Sequence, residues 1–470
     1  MKRYYCTYFD RNYLVRGLAL MESLAAHETR DYTLFAICLD EISRVIVEGL
    51  GLPRVATIPL HEIERGDDPL LATRSNRSLV EYYWTLTPTV IRRLMDRYPE
   101  IDALAYLDAD LYFYSSPEPI FAEFRDHSIL IHEHRFPPAL GHLAENGRFN
   151  VGLLIFGRDE PGEEALDWWR QRCIEWCYAR VEDGKFGDQL YLEDWPRRFA
   201  RVRVLEHIGA GVAPWNHEQY RYACDGNGRV SVNGMPLIFY HFHALAFVSP
   251  GIIIPAKHLT YPLTEEILRL CFIPYVKALT RAIEAVKSLL PDFSFGLNDG
   301  SVLTTEHTFV ARKTLAAVLR NAGIPHPSFS IDSEWDCYRS SQLVEPGIVR
   351  AESPTKKVST PVTATELNRR GEEFFASNDI RSALEMFTRA LELDPASPPI
   401  LNNLGVLYWK SGNAAKALNH LSRAIESNQD YSPAILNAAM ILEALGNAQE
   451  ARLLFERYLN IIRRTTRAEA

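Results

Sequence analysis

Two aspartates separated by one residue, Asp108 and Asp110, directly follow an apolar run that ends at Leu107. Alternate side chains of an extended strand share a face, so both carboxylates are expected to point the same way. Two carboxylates beside a hydrophobic strand are costly to leave unpaired. The pattern therefore favours a divalent cation with a preference for oxygen ligands, Mn²⁺ or Mg²⁺, over a solvated strand end.

Two histidines could extend this metal site. His241 and His243 lie on one face of a predicted strand in the segment Phe239–His243, and imidazole is a common metal ligand. The alternative is a pair of packed or hydrogen-bonded side chains. Because divalent cations often bridge a protein to a diphosphate, the combined pattern predicts an enzyme that acts on a nucleotide-activated substrate.

Polar residues at two further points suit a sugar. Asn150 can hydrogen-bond hydroxyl groups, and Gly152 permits close approach of the backbone to a ligand, although a β-bulge glycine with a capping Asn is the alternative. Asp188 and Gln189 follow a glycine, where Asp188 could also be a helix N-cap.

Guanidinium and aromatic groups supply other candidate contacts. Arg74 and Arg77 suit a pyrophosphate or a carboxylate, with a surface salt bridge as the alternative. Trp215 and Asn216 could offer a stacking face and a hydrogen bond to a base or sugar ring, with core packing as the alternative.

The elements that must position these residues alternate between strand and helix in the first third of the chain. Strands are predicted at 4–9, 32–39, 55–60 and 103–107, and helices at 13–26, 42–50 and 78–98. Pro88 is expected to kink or restart the third helix. The alternation predicts an α/β fold with a mostly parallel sheet and helices on both faces.

The middle third is less regular. Strands are predicted at 128–132, 151–156, 202–205 and 237–242, and helices at 163–180 and 264–290. Cys173 and Cys177 are expected to be buried thiols because no second ligand pair lies near them.

Composition sets limits on the class of protein. A chain of 470 residues should hold two or three domains, and its net charge of −9 argues against a general nucleic-acid binder. No apolar run approaches the length of a transmembrane segment, and the N-terminus is typical of a first strand rather than of a signal peptide. Scattered cysteines, odd in number, fit a reducing cytoplasm, which is the expected location.

The C-terminal region repeats with a period of 34 residues. The step joins Ala383, Ala417 and Ala451, and it also joins Phe387, Leu421 and Phe455. This pattern resembles the tetratricopeptide repeat, with three units over residues 364–467 after a linker at 346–363. Such stacks usually bind a protein or peptide, although self-association or a stabilising cap is the alternative.

The first 250 residues resemble a GT-A-fold glycosyltransferase, closest to family 8 and the glycogenin-like enzymes. The resemblance rests on Leu107–Asp110, Phe149–Gly152, the Asp188-Gln189 pair and His241, in that order. It implies a Rossmann-like nucleotide-diphospho-sugar transferase domain at 1–250, followed by a mainly helical extension at 251–345 and then by the all-α repeats.

The resemblance also implies roles for residues. Asp108, Asp110 and His241 would hold Mn²⁺ against the donor diphosphate, and His243 could share or take over that role. Asn150, Gly152, Asp188 and Gln189 would lie at the donor sugar, with Asp188 and Gln189 as the catalytic pair. The remaining substrate contacts would come from Asp10, Asn12, Arg77, Trp215, Asn216 and Lys257, of which Lys257 replaces the family's usual basic residue.

The resulting hypothesis is a metal-dependent glycosyltransferase that moves a sugar from a nucleotide-diphosphate donor to an acceptor with retained configuration. The acceptor could be a protein or glycan that the repeats recruit. One alternative is a nucleotidyltransferase, although Phe9–Tyr13 lacks that class's glycine cluster. The other is a repeat scaffold with a degenerate transferase domain.

Overall fold

The computed structural model describes residues 2–249, 251–256, 263–291, 293–297, 307–311, 329–330, 335–339, 363–376 and 379–468. Lys257 and residues 346–362 of the predicted linker lie outside this set. The chain divides into two compact units. The first consists of Met1–Leu39, Leu50–Lys287 and Asp292–Arg350, and the second of Asp40–Gly49, Ser288–Pro291 and Ala351–Ala470.

The secondary structure of the region before the repeats has the following bounds. The strands are β1 (Arg3–Phe9), β2 (Tyr32–Cys38), β3 (Val55–Pro59), β4 (Ala103–Leu107), β5 (Leu111–Phe113), β6 (Ile129–Glu133), β7 (Phe149–Gly157), β8 (Val202–Val204), β9 (Ala210–Val212), β10 (Tyr222–Cys224), β11 (Val230–Val232), β12 (Met235–Pro236), β13 (Phe239–His241), β14 (Ala246–Ser249), β15 (Ile252–Ile254), β16 (His307–Ala311), β17 (Phe329–Ser330) and β18 (Trp335–Arg339). The helices are α1 (Leu14–His27), α2 (Glu41–Leu50), α3 (Leu60–Glu64), α4 (Asp68–Thr73), α5 (Leu79–Arg97), α6 (Glu118–Phe124), α7 (Glu160–Glu175), α8 (Trp195–Arg198), α9 (Glu265–Ile267) and α10 (Ile273–Leu289).

A seven-stranded mixed sheet forms the centre of the first unit, in the order β3-β2-β1-β4-β7-β6-β8. Strands β1 to β4 are parallel, as the strand–helix alternation predicts. Strand β7 runs antiparallel to both β4 and β6, which the sequence pattern did not indicate. Its reversed direction pairs Leu153 with Leu107, so the end of β4 lies beside the middle of β7, and the first residues of β7 extend past it.

Helices α5 and α7 pack on this sheet through a buried apolar cluster that includes Leu86, Val90, Leu154 and Trp169. The prediction that Pro88 restarts α5 is wrong, because the helix continues through it to Arg97.

A small second sheet, in the order β5-β13-β9, carries the later part of the site. Strand β13 is antiparallel to β5, and this pairing sets His241 opposite Leu111. Beyond residue 250, α10 accompanies strands of a five-stranded sheet, β14-β15-β16-β18-β17. The sequence predicted a mainly helical extension here. Short apolar runs such as Ile252–Ile254 do not distinguish strand from helix by periodicity.

The repeats form three consecutive helix pairs in the described part of the second unit. They are α11 (Ala364–Ala376), α12 (Ile380–Leu393), α13 (Pro398–Lys410), α14 (Ala414–Ser427), α15 (Ser432–Ala444) and α16 (Ala448–Ala468). Close packing within each pair requires small residues, since a Cβ at Gly405 would lie 2.6 Å from Leu421 and one at Gly371 would lie 2.4 Å from Phe387.

Candidate metal centre

Asp108, Asp110 and His241 converge on one point in the first unit. Each offers a ligand atom, and these atoms all lie within 4.8 Å of one another. The His241 Nε2 atom is 3.1 Å from Asp110 Oδ1 and 3.7 Å from Asp108 Oδ2. Asp110 and His241 are only 8% and 4% exposed, respectively, whereas the Asp108 side chain is 32% exposed. The cluster is therefore buried on the side of Asp110 and His241 and accessible at Asp108.

Backbone pairing fixes this convergence. The two aspartates lie in the turn between β4 and β5. The Asp108 N–H donates to the Gly152 carbonyl at 2.9 Å, and the Phe242 N–H donates to the Asp110 carbonyl at 2.9 Å. The same turn is therefore tied to β7 on one side and to the end of β13 on the other.

The charges of the three groups are coupled. Burial alone raises the pKa of Asp110, but the charge of His241 and its hydrogen bond outweigh burial and lower it to about 2. Burial, with the neighbouring Asp110 charge, raises the pKa of Asp108, against the opposing effect of His241. Burial lowers the pKa of His241, yet the two carboxylates prevail and raise it. The cluster therefore favours bound positive charge.

The donor set fits a divalent cation. The two carboxylate oxygens suit Mn²⁺ or Mg²⁺, and the imidazole nitrogen is better matched to Mn²⁺ than to Mg²⁺, which prefers oxygen ligands. The Tyr106 hydroxyl donates to Asp108 Oδ1 at 2.7 Å, which leaves Oδ2 as the oxygen nearer His241. A cation there would also offset the burial of two like charges.

Strand β7 supplies the wall behind His241. The Asn150 Oδ1 atom accepts the Gly152 N–H at 2.8 Å, and its Nδ2 atom lies 3.1 Å from His134 Nε2. A Cβ at Gly152 would lie 3.0 Å from the His241 ring, so a glycine at this position allows His241 to pack closely against β7. The β6–β7 register shifts between Leu130 and His132, as expected for the β-bulge alternative.

Asp188 lies buried near the same centre. Its Oδ2 atom accepts a hydrogen bond from the Thr87 hydroxyl at 3.2 Å, and its carbonyl accepts one from the Trp169 indole at 2.8 Å. Burial, reinforced by the Asp108 charge, raises the pKa of Asp188 to about 7. The N-cap alternative is wrong, because Gln189 precedes the helical turn 190–194 and its amide donates to the Asn146 carbonyl at 2.7 Å.

Trp215 and His243 lie around His241. The Trp215 ring centroid is 5.3 Å from that of His241 and 5.6 Å from that of His243, both at steep angles. His243 is exposed, and its ring is 6.1 Å from the His241 ring, outside the three-residue cluster. Asn216 is fully buried and bonds to the backbone of Gly211 and other neighbours, so its amide serves the local fold.

The other predicted contacts fall at different places. Asp10 accepts the N–H groups of Asn12 and Tyr13 in the turn after β1. Arg77 lies over the Tyr178 ring at 3.8 Å and donates to Asn76. Neither contact reaches the acidic cluster. Arg74 pairs with Glu64, as the salt-bridge alternative expects.

Three residues near the centre were missed by sequence reasoning: Arg16, Tyr106 and His134. Arg16 had a visible signal, since it is a charged residue inside the apolar stretch Leu14–Leu24 of a predicted helix, and it is only 6% exposed. Tyr106 had none, because any buried strand can carry an aromatic side chain. His134, which follows the end of β6, had none because a single histidine is usually a packed or hydrogen-bonded side chain.

Comparison with known proteins places the chain in a family. YfnD of Bacillus subtilis (strain 168), an uncharacterized protein, is 33% identical over 297 residues, which cover 62% of this chain and 94% of YfnD. This chain belongs to the YfnD family. YfnF of the same organism, also uncharacterized, is 30% identical over 302 residues, which cover 62% of this chain and 96% of YfnF. Membership assigns no activity.

The repeat prediction is confirmed in this YfnD-family chain. A tetratricopeptide repeat model matches residues 374–433 and 408–470. Solved structures with similarity include the second TPR of Spaghetti (RPAP3) bound to an HSP90 peptide, at 27% identity over 21% of this chain and 92% of that one, with a TM-score of 0.21. MamA is 20% identical over 23% of this chain and 62% of that one, with a TM-score of 0.22. Repeats of this class suggest a protein or peptide partner.

Proposed function

We propose that this protein is a metal-dependent glycosyltransferase that moves a sugar from a nucleotide-diphosphate donor to an acceptor. The observation that carries the proposal is the meeting of Asp108, Asp110 and His241, whose ligand atoms lie within 4.8 Å of one another at the end of β4. Ligands of open α/β sheets gather at the carboxyl ends of strands, where this cluster lies.

The order of the elements supports the proposal. The Asp-x-Asp turn, the Asn150–Gly152 segment and His241 come in the order of the glycosyltransferase motifs that the sequence resembles. The antiparallel pairing of β7 with β4 brings the first two together, and the pairing of β13 with β5 adds the third.

The proposed mechanism assigns work to residues of this chain. A cation at this centre would stabilise the negative charge that builds on the departing diphosphate. Asp108 and Asp110 would orient the donor by fixing that centre. Asp188, whose pKa is raised to about 7, exists near neutral pH in both protonation states, and its anionic form is suited to stabilise an oxocarbenium-like carbon. Gln189 would contribute its amide oxygen to the same region.

The repeats extend the proposal to the acceptor. A stack of helix pairs usually binds an extended segment of another protein. We assign to this unit the recruitment of an acceptor protein or of a protein that carries the acceptor glycan.

A donor screen tests the proposal. The purified full chain is incubated with a panel of nucleotide sugars, with Mn²⁺ or with a chelator, and release of the nucleoside diphosphate is followed. Release that depends on the metal and on one class of donor supports the transferase. A folded protein that binds neither Mn²⁺ nor any nucleotide contradicts it and leaves a repeat scaffold with a degenerate catalytic domain.

A further inference from the structure

Arg16 of α1 is a buried cation close to the acidic cluster. Its Nη1 atom donates to the Asn12 carbonyl at 3.1 Å, and its Nη2 atom donates to the Leu245 carbonyl at 2.8 Å. The guanidinium carbon lies 4.5 Å from the centre of the Tyr13 ring. Arg16 therefore joins the turn after β1 to the segment that follows the histidine ligand.

The charge of Arg16 is not balanced by a direct ion pair within the part of the chain that the structure describes. Its Nη1 and Nη2 atoms donate to main-chain carbonyls, which carry no net charge. A buried charge without a hydrogen-bonded counterion is costly, so its retention calls for a reason. Hydrogen bonds of the backbone join its carbonyl partner to the acidic cluster. The Leu245 N–H donates to the Phe242 carbonyl at 3.3 Å, and the Phe242 N–H donates to the Asp110 carbonyl at 2.9 Å.

A loaded metal centre would change this balance. Two ionised carboxylates, those of Asp108 and Asp110, neutralise one divalent cation. The positive charge of Arg16 is then left over from this balance, on a side chain that is only 6% exposed. A site with that excess attracts an anion, and a guanidinium retains N–H donors beyond the two used here.

We propose that Arg16 is a further anion-binding residue of this site and that it receives the diphosphate of the donor. The inference rests on the proposed function, because it takes the anion to be the diphosphate. Arg16 binds a phosphate oxygen through N–H groups that its two carbonyl partners leave available, while those carbonyls hold the guanidinium in place. This role differs from that of a purely structural arginine, which would only tie two segments together.

The role of Arg16 is tested by measuring cation binding and anion binding in Arg16 variants, because loss of its charge should affect the two differently. Arg16→Met keeps the length and apolar contacts of the side chain but removes its charge, and Arg16→Gln removes the charge while keeping a hydrogen-bond donor. Calorimetry would measure the affinity for Mn²⁺ alone and then for inorganic pyrophosphate at saturating Mn²⁺. Arg281→Gln is the control, because it removes the same charge from an exposed position in α10.

We expect both Arg16 variants to bind Mn²⁺ as tightly as the wild type or about threefold more tightly, because a like charge is gone. Pyrophosphate binding should weaken by about tenfold or more, since a charge-assisted contact is lost. Arg281→Gln should change neither affinity by more than about twofold, as expected for a screened surface charge.

Three outcomes would overturn the inference. Equal loss of Mn²⁺ and pyrophosphate affinity in both variants shows a structural role, and unchanged pyrophosphate affinity shows no role. A wild-type protein that binds Mn²⁺ but not pyrophosphate removes the anion site itself. If the wild type and the variants behave as expected but no nucleotide sugar is turned over, Arg16 is an anion-binding residue and the transferase proposal alone fails.

Discussion

The repeats and the metal centre obtain their structures from contacts of different range. In the repeats, Gly405 of α13 packs on Leu421 of the next helix along the chain. In the candidate metal centre, Asp110 contacts His241, although strands β5 to β12 separate the two residues in the sequence. Packing between consecutive helices is readable as a sequence period, whereas a site assembled from distant segments depends on strand order and register.

The difference predicts that damage to each region stays local. The largest effect is expected for Asp110→Asn, which replaces a ligand by a neutral group of the same shape. Affinity for Mn²⁺ should fall by more than about 100-fold, beyond the 10- to 100-fold typical of residues that only support a ligand. Metal-dependent diphosphate release should be lost with it.

Calorimetry with Mn²⁺ measures this effect, and hydrogen exchange of α13 and α14 is the matched control. Exchange in those helices should equal that of the wild type. Wild-type Mn²⁺ affinity in the variant would refute the metal assignment.

Gly152→Ala is expected to have the next largest effect. The new Cβ would lie 2.6 Å from Asn150 Oδ1 and 3.0 Å from the His241 ring, so the ligand must move. Overpacking of this kind costs about 1–3 kcal/mol, and we expect about a tenfold loss of Mn²⁺ affinity. Gly141→Ala is the control, since a Cβ there meets nothing within 4 Å. Equal Mn²⁺ affinities of the two variants would show that Gly152 does not support His241.

Gly405→Val tests whether damage to the repeats stays within the repeats. Its side chain would collide with Leu421 and should destabilise the repeat pair by about 1–3 kcal/mol. Hydrogen exchange should accelerate in α13 and α14, while Mn²⁺ affinity stays at the wild-type value. Ala415→Val, on the exposed face of α14, is the control and should alter exchange only slightly. A fall in Mn²⁺ affinity for Gly405→Val would contradict the local character of the repeat contacts.

The last prediction concerns pH. Because the pKa of Asp188 is raised to about 7 in the folded protein, the folded state holds a proton between pH about 4 and 7 that the unfolded state has lost. The contribution of Asp188 to stability therefore falls as the pH rises through this window. Asp188→Asn lacks this contribution.

Hydrogen exchange of β4 and β7 in metal-free protein at pH 5 and pH 8, corrected for the intrinsic rate, measures this dependence. From pH 5 to pH 8, protection of these strands in the wild type should decline relative to their protection in Asp188→Asn. Parallel profiles would show that Asp188 is ionised throughout.

Much of the α/β unit follows from patterns within single elements. The predicted strands 4–9, 32–39 and 103–107 match β1, β2 and β4 closely, since apolar runs between helical stretches mark buried strands. A strand was predicted at 151–156, but the antiparallel direction of β7 was missed because the direction of a strand depends on its partner. The strands after residue 306 were missed because the sequence around them lacks a regular pattern.

The sequence predicted the chemistry of the site better than it predicted which residues form the site. Asp108 and Asp110 had a spacing that pointed to a cation, and their convergence with His241 matches the ligand set implied by the resemblance. His243 carried the same signal, yet it lies outside the cluster. Arg77 was chosen for its charge but lies on Tyr178, whereas Arg16 was overlooked and lies near Asp110.

The sequence alone determined the 34-residue repeat, the alternation of strand and helix, and the pair of carboxylates after a buried strand. These features depend on side chains that are neighbours within one or two elements. The tertiary structure decided which histidine contacts the carboxylates and which arginine is buried near them. It also decided which glycine allows that histidine to pack closely. Those outcomes depend on the direction and register of strands far apart in the chain, and side-chain alternation within one strand does not encode its partner.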